Sequence, residues 1–437
     1  MGRRLEMLST IMIAFLGLML LGVPVGFSMV LSAVVAIFTT GAVPLTIVPQ
    51  KMAGALDSFT LLALPFFLLA GELMEAGGLT VRLVRFAGCL VGHLKGGLMH
   101  VSIVASMIFA GMSGSGVADA SAIGSILVPA MKKKGYDPAY VAAVQAGAGA
   151  IGPIIPPSIT MIVYASMTSL SVAAMFMGGI IPGILIGLGL MVYNHIYSVR
   201  YGYEGEARAS LRELFGATLR AVPALIMPLI VLGGIVTGIF TATEAGAVAA
   251  VYAFLVGAFV YREIKWKDLE RVFIRATATG SMVTLIIAGS TTFGWVLAIE
   301  QFPQIVVGAL LQLTSNPAVV LAVLMIFLLI TGCFIDVLPA AIILIPVLDP
   351  ISAKFGFDPI HFAVLVCITL TVGLVTPPVG VVLYVTTGLA GVTLSESSRK
   401  VLIPVLVMIL VCIVAAYFPP IIVAVPNYLL PVASIMK

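Results

Sequence analysis

Apolar runs dominate this chain, and they restrict what it can fold into more than any motif does. They lie near residues 5–21, 24–40, 60–76, 98–131, 138–168, 170–197, 221–240, 243–261, 276–299, 318–352, 359–392 and 401–425. At 1.5 Å per residue such runs are long enough to cross a hydrocarbon core ~30 Å thick. The 22 basic and 18 acidic side chains among 437 residues cannot cover the surfaces of the roughly three water-exposed domains such a length would suggest. Membrane β-barrels show short alternating segments, and these runs are continuous. The chain is therefore expected to be an all-α polytopic membrane protein of the inner-membrane type. Arg3 and Arg4 precede the first run, but no small-residue cleavage site follows, so that run stays as a span. Whether 5–21 and 24–40 are two spans or one broken one is open at this stage.

The formal charge of +4 would suggest nucleic acid in a soluble protein. Here the basic residues cluster in short loops. They occupy 82–95, Lys132–Lys134, 199–220, 262–275 and Arg399–Lys400, and the positive-inside rule places all five on the cytoplasmic side. The cysteines Cys89, Cys333, Cys367 and Cys412 have no metal-site spacing and read as small core residues.

A repeat runs through the chain. The stretch from Gly111, GMSGSGVADASAIGSILVPAMKKKGYDPAYVA, overlays the stretch from Gly332, GCFIDVLPAAIILIPVLDPISAKFGFDPIHFA, at a shift of 221 without a gap. Gly111/Gly332, Pro129/Pro350, Lys133/Lys354, Gly135/Gly356, Asp137/Asp358 and Pro138/Pro359 coincide, as do Gly152/Gly373 and Pro156-Pro157/Pro377-Pro378. Matched Gly, Pro and Asp at one shift are far less cheap than matched Ala and Leu. The expectation is two repeats, 1–220 and 221–437. Each holds a re-entrant helical hairpin (98–134 and 318–354) followed by a Pro/Gly-broken span (138–168 and 359–392).

Charge gives the repeats opposite orientations. The first hairpin is basic at both ends, so it enters and leaves on the cytoplasmic side, turning at Ser113–Gly116. The second is flanked by QLTSNP and the lone Lys354, which fits the outer side. Before the first hairpin, Leu83, Phe86, Ala87, Leu90, Val91 and Leu94 form an apolar stripe opposite Arg82, Arg85, Cys89 and His93, an interfacial helix. Inverted repeats are a mark of secondary transporters.

The hairpin tips (GMSGSGVAD and GCFIDVLP) and the breaks (AGAIGPIIPPS, 148–158, and TVGLVTPPVG, 371–380) are where chemistry is expected. Proline within a helix frees carbonyl oxygens, and irregular backbone at membrane depth persists only where protein buries it or where it lines a polar cavity. Freed carbonyls joined by hydroxyls or a carboxylate suit a hard cation. Asp336 stands out, because a charge within an apolar run costs at least ~2.5 kcal/mol to insert and requires a partner. Asp119 reads as a helix cap, Asp137 and Asp358 as matched caps before proline, and TLSE (393–396) as a capping box. No intramembrane arginine marks a solute clamp.

The paired motifs GMSGSG…GPIIPPS and GCFID…GLVTPPVG, with GYDP and GFDP between, resemble the large membrane subunit of TRAP (tripartite ATP-independent periplasmic) transporters over essentially the whole chain. The resemblance implies an elevator-type ion transporter fold and Na⁺-coupled uptake of an organic acid across the bacterial inner membrane. It also implies a periplasmic substrate-binding protein (P type) that delivers the carboxylate solute and a small four-helix membrane subunit (Q type), expected as a separate chain. Carried over by motif, one Na⁺ site comprises Ser113, Ser115, Gly152, Ile155 and Pro157, and the other Asp336, Gly373, Thr376 and Pro378. On this reading the first site offers only neutral oxygens and the second a carboxylate.

Three rival functions fit less of the chain. GMSG (111–114) matches the serine motif of rhomboid-like intramembrane proteases, but His100 lies about three turns from Ser113, and a nucleophile needs its base within hydrogen-bond reach. A passive channel usually builds its filter from rings of identical subunits. A proton-coupled carrier or antiporter of similar fold would use Asp336 as proton carrier, and residues alone do not separate it from Na⁺ coupling.

Overall fold

The computed structural model describes residues 2–41 and 43–430. All regular elements among them are helical, as expected where no water is available to satisfy backbone groups and each segment must satisfy its own. Eight helices are long and apolar enough to cross a membrane: Phe59–Ala76, Val172–Tyr201, Leu211–Val236, Ala242–Val260, Trp266–Ile299, Pro317–Phe334, Val337–Phe355 and Leu394–Tyr417. The N-terminal stretch resolves into two helices, Gly2–Leu20 and Val25–Thr40. They run antiparallel, with the Thr40 hydroxyl 3.4 Å from the Met7 sulfur.

Two helix–turn–helix segments lie where the hairpins are expected. The first pairs Gly97–Ser113 with Gly116–Lys133, and the second pairs Pro317–Phe334 with Val337–Phe355. Two residues suffice for the first reversal because Gly114 adopts φ +62°, a conformation that costs glycine nothing. The arms of the second hairpin are each long enough to cross, which exceeds what a re-entrant loop requires. Irregular backbone also interrupts the helix at both expected breaks. Pro138–Gly149 and Ile159–Thr168 flank irregular backbone at 150–158, and Pro359–Gly373 and Val381–Ala390 flank 374–380. Asp137 and Asp358 cap the first helix of each by accepting from Ala139 N and His361 N. Both breaks contain a cis peptide bond, Pro156-Pro157 and Pro377-Pro378. Corresponding helices start 221 residues apart, at Gly116 and Val337 and at Pro138 and Pro359.

The hairpins and broken spans interlock across the two halves. Gly116–Lys133 packs on Val381–Ala390, and a Cβ at Gly124 would stand only 2.9 Å from Leu389. Lys132 Nζ donates to the Ala390 carbonyl at 2.6 Å, closing the same contact at its far end. In the other half Val337–Phe355 packs on Ile159–Thr168, with Ile342 in one buried cluster with Ile159 and Val163. Each hairpin thus leans on the broken span of the opposite half.

A second group of helices flanks this unit. Ala63–Ala76 packs on Ala242–Leu255, and Trp266–Ile299 packs on both Val25–Thr40 and Ala63–Ala76. The Thr243 hydroxyl donates to the Phe59 carbonyl at 2.8 Å. The interfacial helix spans Leu79–Val91, starting earlier than its stripe suggests, and buries Leu79, Leu83 and Ala87. TLSE is a capping box, with Thr393 and Glu396 bonded reciprocally.

Candidate functional site

At the first tip, Ser115 is the N-cap of the returning helix and accepts from Ala118 N at 3.4 Å. That satisfies one of the four backbone donors a helix start leaves free. Ser113 Oγ accepts from Ser115 N at 3.2 Å and donates to Asp119 Oδ1 in a close hydrogen bond. Asp119 is therefore not the cap. Its side chain is fully buried, and its other oxygen, Oδ2, has no partner among the described residues. A buried acceptor without a donor costs about 1–3 kcal/mol, and more when charged.

The first break closes over this carboxylate. A Cβ at Gly152 would lie 2.5 Å from Asp119 Oδ2 and 2.9 Å from the Ser115 carbonyl oxygen. A Cβ at Gly114 would lie 2.7 Å from the Pro157 carbonyl oxygen. Absence of side chains at both glycines is what lets tip and break approach, and it brings oxygens of Ser113, Ser115, Asp119 and Pro157 to one joint. The Pro153 carbonyl is already taken by Ser158 Oγ at 2.6 Å. Ile155 turns its side chain against Gly183 of Val172–Tyr201, so any ligand role falls to its backbone carbonyl.

The structure corrects the expectation that this first joint holds only neutral oxygens. Asp119 supplies a carboxylate, more deeply buried than any other acidic side chain among the described residues. The rule that singled out Asp336, a lone acid in an apolar run, applies equally to Asp119. Its position four residues after an N-cap serine disguised it as local capping.

The second joint is built differently. A Cβ at Gly373 would lie 2.5 Å from the Gly332 carbonyl carbon and 2.9 Å from Cys333 N, so break and tip meet backbone to backbone. Gly380 N donates to the Cys333 carbonyl at 3.1 Å across the same seam. The Thr376 hydroxyl donates to the Val372 carbonyl at 2.8 Å. Asp336 opens the returning helix without capping it and is exposed, as is Pro378, while Thr376 is half-buried. Of the sequence-derived set, Gly373 meets the tip at Gly332 and Cys333, and Asp336 stands at the turn that follows them.

Ser113 is bonded to Asp119, and the buried His100 instead approaches His195, with ring centroids 6.1 Å apart. A serine protease pair is not assembled at the tip.

The sequence profile described as "Tripartite ATP-independent periplasmic transporter, DctM component" matches residues 12–421. The chain belongs to the DctM family of TRAP transporters. It is a transporter permease, not an enzyme, and a multi-pass protein of the bacterial inner membrane. It is 37% identical to the sialic acid TRAP transporter large permease protein SiaM of Vibrio cholerae, over 93% of this chain and 95% of that one. It is 40% identical to the C4-dicarboxylate TRAP transporter large permease protein DctM of Pseudomonas aeruginosa, over 87% and 89%. With the isethionate TRAP transporter permease protein DctMQ of Oleidesulfovibrio alaskensis it shares 41% identity over 92% of its own length, and it spans 64% of that longer protein. In three dimensions it is similar to the YdaH transporter of Alcanivorax borkumensis, whose crystal structure was described as having an unusual topology. The TM-score is 0.57 at 15% identity, over 86% of this chain and 88% of that one. That likeness concerns the fold.

Proposed function

We propose that this DctM-family permease couples Na⁺ entry to uptake of a small organic acid handed over by a periplasmic binding protein. The observation that carries the reading is the first joint, where a buried carboxylate oxygen without a donor among the described residues faces Gly152 beside the Ser113 hydroxyl and the Ser115 and Pro157 carbonyls. This all-oxygen set fits a hard monovalent cation, and a cation there would relieve the unpaired Asp119 oxygen. Asp336, Gly373, Thr376 and Pro378 would form the second Na⁺ site. The matching of helices at a shift of 221 supports two repeats, 1–220 and 221–437, of inverted orientation. The interlocked hairpins and broken spans would move as one body against the flanking helices, an elevator. Relatives named for sialic acid, C4-dicarboxylate and 2,3-diketo-L-gulonate favour a carboxylate solute, whereas the relative named for isethionate, a sulfonate, shares only the organic anion. The relative named DctMQ, a longer chain, favours a small Q-type membrane subunit as partner.

Burial of Asp119 also favours a second reading, in which this carboxylate carries a proton. Uptake by proteoliposomes containing the permease with its binding protein and small subunit, under Na⁺ and pH gradients imposed separately, decides between them. Uptake driven by the pH gradient alone overturns Na⁺ coupling, and full-rate uptake by the permease alone overturns the need for partners.

Two further outcomes are expected. Single cysteines replacing the exposed Lys133 and Lys354, in a cysteine-free background, should label from opposite faces of the membrane; labelling from one face rules out inverted repeats. Asp336→Asn should shift the Na⁺ requirement of uptake upward while the protein still inserts. An unchanged Na⁺ response would make Asp336 a hydrated surface carboxylate.

A further inference from the structure

A cleft of about 670 Å³ opens between the interfacial helix Leu79–Val91, the start of Leu211–Val236 and the end of the span Ala242–Val260. Three arginines, Arg82, Arg85 and Arg220, converge on it from two of these elements, and Val81, Leu219 and Val260 supply apolar walls. One of the three is held in place. The Arg82 guanidinium lies 3.9 Å from the Tyr261 ring centroid, donates to the Gly78 carbonyl at 2.7 Å and pairs with Glu263 at 3.1 Å. Among the described residues, Glu263 is the only carboxylate lining the cleft. Arg85 and Arg220 are exposed and have no carboxylate within 4.0 Å among the described residues.

Depth identifies the occupant. The Tyr261 hydroxyl donates to the Arg220 carbonyl at 2.7 Å, which sets Arg220 level with the first residue beyond the span Ala242–Val260. A span whose apolar stretch fills the hydrocarbon meets the headgroups at that level. Val81, Leu219 and Val260 are all more than half exposed beside the arginines, so cation and apolar surface are presented together at one level. Cytoplasmic arginines follow from the positive-inside rule alone. Convergence of three on one cleft, with a single carboxylate among them and apolar walls below, does not. We infer that this cleft binds the phosphate headgroup of an anionic phospholipid, whose acyl chains lie along Leu219 and Val260. Basic pockets between spans on the cytoplasmic side hold such headgroups, at roughly one tenfold step or less per basic residue.

The test is native mass spectrometry of the purified full chain in mild detergent, titrated with phosphatidylglycerol or with phosphatidylcholine. The wild-type chain should carry phosphatidylglycerol in clear preference to phosphatidylcholine. Arg85→Gln/Arg220→Gln should weaken phosphatidylglycerol binding by roughly tenfold or more and leave phosphatidylcholine unaffected. Lys133→Gln/Lys267→Gln, an equal loss of charge outside the cleft, should change neither. Equal weakening by both pairs would reduce the effect to net charge, and no weakening by the first pair would remove the site. If the cleft variant keeps its lipid but no longer co-purifies with a small membrane subunit, the cleft is a subunit contact and the proposal fails. None of these readouts depends on which ion drives transport.

Discussion

Asp119→Asn should abolish Na⁺-driven uptake at ordinary Na⁺ concentrations while leaving the protein assembled in the membrane. Asparagine keeps the shape, and its amide oxygen can still accept from Ser113. What it lacks is the negative charge that offsets dehydration of a cation. Removing one charged partner from a buried pair costs about 3–5 kcal/mol, at least a hundredfold in apparent Na⁺ affinity at 1.4 kcal/mol per tenfold. Ser115→Ala removes a helix cap worth ~1 kcal/mol and leaves the Ser115 carbonyl in place, so its defect should be much smaller. The measurement is initial uptake rate against Na⁺ concentration in proteoliposomes, with insertion checked separately. An Asp119→Asn protein with normal Na⁺ dependence would reduce Asp119 to a structural acceptor for Ser113.

Gly373→Ala should be as damaging through a different cause. The new methyl would meet the Gly332 Cα and carbonyl carbon at 2.5 Å and Cys333 N at 2.9 Å. All are backbone atoms, so no rotamer change relieves the clash and the whole tip must retreat from the break. Forcing a group into a packed site typically costs ~1–3 kcal/mol. Here the loss falls on the seam between the second break and the tip at Gly332 and Cys333. Uptake should be lost with a helical, inserted protein remaining. Gly388→Ala is the matched control. Nothing lies within 4 Å of its Cβ position, and alanine within a helix is favoured over glycine by roughly 0.5–1 kcal/mol. Equal activity of the two variants would mean the second seam is not part of the transport machinery.

Much of this arrangement was legible in the residues, and the reasons are specific. Membrane insertion and helix content follow from apolar run length. The hairpins and breaks follow from Gly and Pro held at one shift, because those residues report backbone geometry directly. Asp137 and Asp358 declared themselves as caps by preceding proline. Other features depended on distance in space. The cross-packing of Gly116–Lys133 on Val381–Ala390 joins residues far apart in sequence through ordinary Gly, Val and Leu contacts, which carry no local signature. Asp119 reads as a helix cap in the sequence, since a carboxylate just past a serine at a helix start is normally explained by local capping. Its burial, its bond to Ser113 and the orphaned oxygen against Gly152 appear only once the helices are packed. The lipid cleft was half legible: its arginines were evident, but their convergence required the packing of three helices.

The interlock between the halves also has a price in time. During synthesis Gly116–Lys133 leaves the ribosome long before Val381–Ala390, the surface it packs on, exists. Lys133 and Val381 are separated by 248 residues, which at ~5–20 residues per second take roughly 10–50 s to make. For that interval a hairpin carrying Asp119 and the Lys132–Lys134 cluster sits in the bilayer without its eventual neighbour. A fragment ending before residue 381 lacks the surface that completes its own hairpin, so separately expressed halves should survive only when they are made together.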